Sequence, residues 1–343
     1  MNESGKTPEI AVPETRGVRR TIEMTWTILA PFVGLGVVVC IFLIYEAYAR
    51  PDSTFLSSGR MTLIAKQTTI VGVGALGMTM IIISGGIDLS AGSLLALTAV
   101  VLAVSLKAGL DPVLCVLLVL ASGAFCGLIN ALLITGLGLV PFIVTLGTML
   151  AFRGAAEIIS NNKKVAFNDA PAWLATLLRP PPPGSYQLVC TGVWIVLALA
   201  LVVAITLRWS VFGRYVFALG SNEATARLCG INVPRVKLAV YSLGGLFMAV
   251  AGIFSFNNLG RQGSPTTGVG LELEIIAAVV IGGGSLNGGR GSILGSLLGA
   301  LTMTTLDSGC SYAGVSNAIQ KVLVGAIIIL AVAVDQFVHR RKT

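Results

Sequence analysis

Long apolar runs separated by short polar interruptions dominate this chain, and their lengths suit a membrane better than a soluble core. A helix needs about 20 apolar residues to cross a bilayer. Runs of that order cover 26–45, 61–83, 89–106, 113–133, 142–159, 188–207, 238–256, 271–283, 293–306 and 318–337. They predict an all-α integral membrane protein with about ten transmembrane helices. The eighth and ninth are short, which leaves a re-entrant course open for either. The organisation that follows is a polar arm over 1–25, one transmembrane domain over 26–338 with a polar loop at 208–237, and a tail at 339–343. No small-residue cleavage site follows the first run, so it reads as a retained anchor and not as a signal peptide.

Two interruptions stand out. Residues 85–93 read G-G-I-D-L-S-A-G-S and separate two apolar runs with glycines and one carboxylate. Lipid offers no partner to free backbone groups, so such a break must face protein or a watery cavity. Residues 283–301 read G-G-S-L-N-G-G-R-G-S-I-L-G-S-L-L-G-A-L, again a glycine-rich break followed by a small-residue helix. Two related, glycine-broken hairpins would explain the echo, and broken membrane helices mark transport pathways. Chance likeness between glycine-rich turns is the other reading.

Composition agrees with this picture. Hydrophobic residues make up 55% of the 343 and charged residues 11%, against about 25% charged in soluble domains. The net charge of +8 does not point to nucleic acid, because the basic residues lie at segment ends and not on an interleaved basic-aromatic face. Read as topology signals, they form three clusters: Lys6, Arg16, Arg19 and Arg20; Arg208, Arg214, Arg227, Arg235 and Lys237; and Arg340, Arg341 and Lys342. Ten crossings put all three on one, cytoplasmic, side. Lys163, Lys164 and Arg179, flanking the proline run 180–183, fall on the other. Six cysteines stand singly and His339 is the single histidine, which leaves little for a metal site.

Several motifs have two readings. Gly72-Val73-Gly74-Ala75-Leu76-Gly77 spells a dinucleotide fingerprint, but inside a membrane helix it reads as close packing. Gly5-Lys6-Thr7 lacks the upstream glycine of a Walker site, so any ATP-derived energy must come from a partner. Asp88 opens a helix, where it either caps free N–H groups or serves as a pathway residue together with Gly85, Gly86 and Ser90. Arg290, beside Gly283 and Gly284 in the matching break, is expected to approach Asp88. Arg153 and Glu157 share a helix face, as an internal pair or as contacts for a polar solute. Gly295 and Gly299 form a close-packing GxxxG for internal or subunit contacts. In the loop 208–237, residues 219–228 read as a short helix capped by Ser221 or Asn222, favoured by Glu223 at its start and stopped by Gly230. It suits a docking knob for a cytoplasmic partner or an ordinary interfacial helix.

Four of these pieces together carry a resemblance: G-G-I-D-L-S-A-G-S at 85–93, V-P-F-I-V-T-L-G-T-M at 140–149 with Arg153-Gly154, E-A-x-A-R-x-x-G-I at 223–231, and I-A-A-V-V-I-G-G-G-S-L-x-G-G-x-G at 276–291. In this order they resemble the permease subunit of bacterial ABC sugar importers of the ribose, xylose and galactose type. Glu272-Leu273-Glu274-Ile275 departs from the Glu-Leu-Asp-Ala usual there. The resemblance implies a second permease subunit, identical or related, a cytoplasmic ATP-binding subunit, and a periplasmic sugar-binding protein, in the bacterial inner membrane with both termini cytoplasmic. It implies no cofactor. Glu223, Ala224, Arg227 and Gly230 then fall on the coupling helix that meets the ATPase. Alternatives are an ion-gradient carrier, or an ABC permease for a nucleoside or a branched-chain amino acid.

Overall fold

The computed structural model describes residues 15–49, 54–181 and 189–340. Most of the polar arm, including Gly5-Lys6-Thr7, part of the proline run, and Arg341 and Lys342 lie outside them. Thirteen helices carry the described residues: α1 (Thr15–Ala49), α2 (Ser58–Ile83), α3 (Ala91–Lys107), α4 (Pro112–Gly136), α5 (Pro141–Ile159), α6 (Ala172–Ala175), α7 (Thr191–Trp209), α8 (Val211–Ser221), α9 (Glu223–Leu228), α10 (Val233–Asn258), α11 (Leu271–Ile281), α12 (Ile293–Tyr312) and α13 (Asn317–Arg340). Two short strands, β1 (Val165–Ala166) and β2 (Gln262–Gly263), pair antiparallel with Val165 opposite Gly263.

Local chemistry sets most helix starts. Asp111 Oδ1 accepts from the N–H groups of Val113 and Leu114, with Pro112 at the first helical position of α4. Ser210, Asn232 and Ser292 cap α8, α10 and α12 in the same manner. Each satisfies a donor that no earlier turn can reach.

The ten apolar runs are all helical. Among the described residues six helices are long and apolar enough to cross a membrane: α2, α4, α5, α7, α10 and residues Leu29–Ala49 of α1. The apolar α3 and the stretch Asn317–Leu330 of α13 are shorter, so helix length and composition do not establish ten crossings. The ninth run is longer than expected and continues to Tyr312. Polar residues such as Asp307 and Ser308 ended the apolar pattern early, although Ser308 is buried and its carbonyl accepts from Arg60 at 3.1 Å.

The eighth run is short for a structural reason. Before α11, residues 262–270 follow an irregular course alongside α3. Gly263 packs on Ala99, Val100 and Ala103, while Gly268 packs on Gly92 and Leu95. That stretch of α3 is about 16 Å long at 1.5 Å per residue, so non-helical backbone runs beside it before α11 begins.

At the centre, α10 packs against α2, α3 and α4, and α12 packs against α2 and α11. Small residues allow these approaches. A methyl group at Gly77 would stand 3.0 Å from the Gly244 Cα, so the dinucleotide-like stretch of α2 is a packing seam. Gly295 and Gly299 face the backbone of Gly282 and Ala278, which makes the GxxxG an internal α11–α12 contact. Gly123 and Gly127 of α4 do the same against α10.

The two glycine breaks end their helices alike. Gly85 (φ 82°) and Gly283 (φ 88°) are left-handed. Gly85 N–H donates to Ile82 O and Gly86 N–H to Ile81 O, as Gly283 does to Val280 and Gly284 to Val279. These are paired Schellman caps. The breaks also touch: Gly289 N–H donates to Ile83 O at 2.8 Å, and a methyl at Gly288 would stand 3.0 Å from the Cα of Gly85 and of Gly220. Gly220, near the end of α8, is wedged between Ile83 O and Gly289 N. Gly220→Ala should therefore destabilise the fold by about 3 kcal/mol, because backbone on both sides cannot yield. Gly147→Ala, where a methyl would meet open space, should change stability little. Thermal unfolding of the two variants in one detergent checks the contrast.

Candidate functional site

Three groups of polar residues hold the chemistry of the fold, and each is placed by an irregular segment. The first surrounds Asp88. Its Oδ1 accepts from Ser90 N–H at 2.8 Å and from Ser90 Oγ at 2.6 Å, an Asx turn that leads into α3. Ser90 Oγ accepts from Asn130 Nδ2 at 2.9 Å, and Asn130 Oδ1 accepts from Thr148 Oγ1 at 2.6 Å. Thr145 Oγ1 donates to Ile87 O at 3.2 Å. All five side chains are buried. The network ties the first break to α4 and α5, and it is satisfied link by link.

Asp88 and Arg290 do not pair. The backbones of their breaks meet, but Asp88 is 2% exposed and bonded to Ser90, whereas Arg290 is exposed. Ion pairing among the described residues is confined to Glu223 with Arg227 and Lys237. Asn130, Thr145 and Thr148 were not singled out from the sequence. The signal was present: a lone amide inside an apolar run, and two hydroxyls on one face of the V-P-F-I-V-T-L-G-T-M stretch.

The second group centres on Arg153. It does not form an ion pair with Glu157, one turn away on α5. Its Nη1 instead donates to Pro265 O and, at 2.6 Å, to Thr267 O. Those carbonyls belong to the irregular stretch 264–270 that follows β2, where no helix or strand provides donors. Glu272 Oε1 accepts from Gly270 N–H at 3.2 Å, while its Oε2 is buried beside Gly92 with no donor. Arg153→Leu should lower the melting temperature in detergent, since two enclosed carbonyls lose their donor at about 1–3 kcal/mol each. Arg153→Lys, which keeps one donor head, should fall between.

The third group is the surface made by α8 and α9. One helix was expected over 219–228; there are two. α8 buries Gly213, Val216 and Leu219, three apart in sequence, against the body. Ser221 ends α8 and donates to Phe217 O at 2.9 Å, so Asn222 is the cap of α9, accepting from Thr225 N–H at 2.9 Å. Gly230 (φ 81°) closes α9 in a Schellman pair, its N–H donating to Arg227 O and the N–H of Ile231 to Ala226 O. Within α9 only Ala226 faces inward; Glu223, Ala224 and Arg227 are exposed, and Leu228 is 89% exposed.

Glu223 anchors this helix to the body. It accepts from Lys237 of α10 at 2.8 Å and from Arg227 at 3.2 Å. Partial burial pushes its carboxyl up, but the hydrogen bonds and charges of Lys237 and Arg227 outweigh that and hold it below its ordinary value. A depressed carboxyl stabilises the fold above its unfolded value and loses that contribution only as pH falls through the lower folded one. The anchor should thus be unchanged from pH 8 down to about 5, which the hydrogen-exchange protection of α9 across that range would test. Beside it, a cavity of about 370 Å³ opens between the α4–α5 turn (Gly138, Leu139, Pro141) and Glu223, Arg227 and Lys237. Among the described residues no three His, Cys, Asp or Glu side chains converge on a metal position.

The comparisons with known proteins agree with this architecture. The chain is 39% identical over 316 residues to the ribose import permease of Bacillus subtilis, covering 90% of this chain and 92% of that one. It is 37% identical over 299 residues to the ribose import permease of Escherichia coli K12, covering 87% and 92%. The fructose import permease of Rhizobium meliloti is 37% identical over 292 residues, covering 83% and 80%. No solved structure matches. A many-helix membrane body, with matching features across residues 60–332, places the chain in the family described as the permease component of branched-chain amino acid transport systems.

Proposed function

We propose that this chain is the membrane-spanning subunit of a bacterial ABC importer that passes a monosaccharide across the inner membrane. The observation that carries this reading is likeness to ribose and fructose import permeases along 80% or more of each protein. The family description names branched-chain amino acids, but the relatives that match at 37–39% identity carry sugar names, and they decide between the two.

Ten crossings, with residues 262–270 and α11 together making one of them, keep both termini and α8–α9 in the cytoplasm. The ATP-binding subunit then docks on α9, whose Ala224, Arg227 and Leu228 are exposed and whose Glu223 holds the helix in place through Lys237. A periplasmic sugar-binding protein meets the opposite end, and a second permease subunit completes the pathway. The paired caps at Gly85 and Gly283 support two related halves. Few aromatic residues line the body, so sugar is held weakly on its way through and selectivity resides in the binding protein.

Purification from native membranes in mild detergent tests the assignment. The wild-type chain should bring an ATP-binding subunit with it, and Glu223→Arg should lose that subunit while the chain still folds. A wild-type chain that comes alone and moves ribose along a proton or sodium gradient would show a self-sufficient carrier instead.

A further inference from the structure

Tyr241 is a fully buried side chain whose polar tip has no explanation in the networks above. It is 1% exposed, and its hydroxyl has no hydrogen-bond partner. Unpaired buried polar atoms are rare in native folds, and each calls for a reason. Tyr241 belongs to α10, where its main chain packs tightly on Gly127 of α4. Its ring points at the first glycine break: a methyl group at Gly86 would stand 3.3 Å from Cζ and nearer still to the hydroxyl. Asp88 lies two residues farther along that break. Both of the hydrogen bonds that Asp88 accepts from Ser90 fall on Oδ1.

The position along α10 gives the hydroxyl a use. Lys237, which holds Glu223 of α9, stands four residues before Tyr241, so the two share a helix face. A displacement of α9 reaches α10 through Lys237, and one turn later it reaches the break through Tyr241.

We infer that Tyr241 is a positioning residue that transmits movement of α9 to the break at Gly86–Asp88. Its hydroxyl is unpaired in the arrangement described here and donates to Oδ2 of Asp88 in the alternate transport state. The inference rests on the importer reading and adds to it the contact that connects the docking surface to the pathway.

The test uses the complete transporter, this chain with its ATP-binding subunits, in lipid nanodiscs. Tyr241→Phe removes only the hydroxyl. ATP turnover should fall about tenfold, the factor that one hydrogen bond of about 1.4 kcal/mol sets between two states. The melting temperature should hold or rise, because an unpaired buried oxygen has been removed. Asp88→Asn, which cannot accept at its amide nitrogen, should add no further loss in the Tyr241→Phe background. Unchanged turnover in Tyr241→Phe, a melting temperature that falls with turnover, or losses that multiply in the double variant would each overturn the inference. A wild-type chain that binds no ATP-binding subunit overturns the importer reading itself, a result visible before any variant is made.

Discussion

Every backbone N–H and C=O that enters a bilayer must find its partner within the protein, and this fold is organised around the places where helices stop supplying one. A continuous helix meets the demand by itself. Breaks at 84–90 and 282–292 and the irregular course at 262–270 do not. Each is answered differently: by paired Schellman caps at the breaks, by the Gly289–Ile83 hydrogen bond between them, and by the Arg153 guanidinium along 262–270. The glycines at 85, 220 and 288 follow from the same constraint. Three chain segments converge there closely enough that a side chain would displace a backbone group from its partner.

Much of this was readable in the sequence because hydropathy and glycine report on these demands directly. The ten apolar runs became helices, the 72–77 glycines became a packing seam, and Gly230 stopped its helix as expected. What failed shares one cause. Side-chain pairing was argued from nearness in sequence or from symmetry, while in lipid the pairing is decided by which backbone group lacks a partner. Arg153 thus reaches past Glu157 to two carbonyls more than a hundred residues away. Asp88 turns toward Ser90, Asn130 and Thr148, not toward Arg290. The helix α8 was missed for another reason: Arg214 and Tyr215 broke its apolar pattern, and the Gly213, Val216, Leu219 spacing is visible only once the polar residues are allowed to face out.

The Asp88 network also narrows what the first break can do. A carboxylate that is 2% exposed, and whose contacts run through Ser90 and Asn130 into α5, has no surface to offer a passing sugar. A residue meant to bind solute would keep an open side. A residue meant to fix a bend would be enclosed and connected to several helices, as Asp88 is. In the importer proposed above, the break would therefore serve as a hinge held by α3, α4 and α5, with solute contact left to other residues. A hinge of this kind costs little to keep in one arrangement, because its hydrogen bonds are met locally and the glycines carry no side chains that must move.

That distinction explains why the docking surface and the breaks lie so close together. α9 rests on the body through Glu223 and Lys237, and α8 inserts Gly220 between the two glycine breaks. A partner that moves α8–α9 by a fraction of an ångström acts directly on the segments where the helices are interrupted. Packed helices transmit such a shift because their interiors compress very little. Where the chain is continuous the shift moves a helix as a rod, and where it is broken the two parts can separate. In the importer proposed above, the glycine breaks would thus convert a displacement of α8–α9 into a change of angle within the molecule.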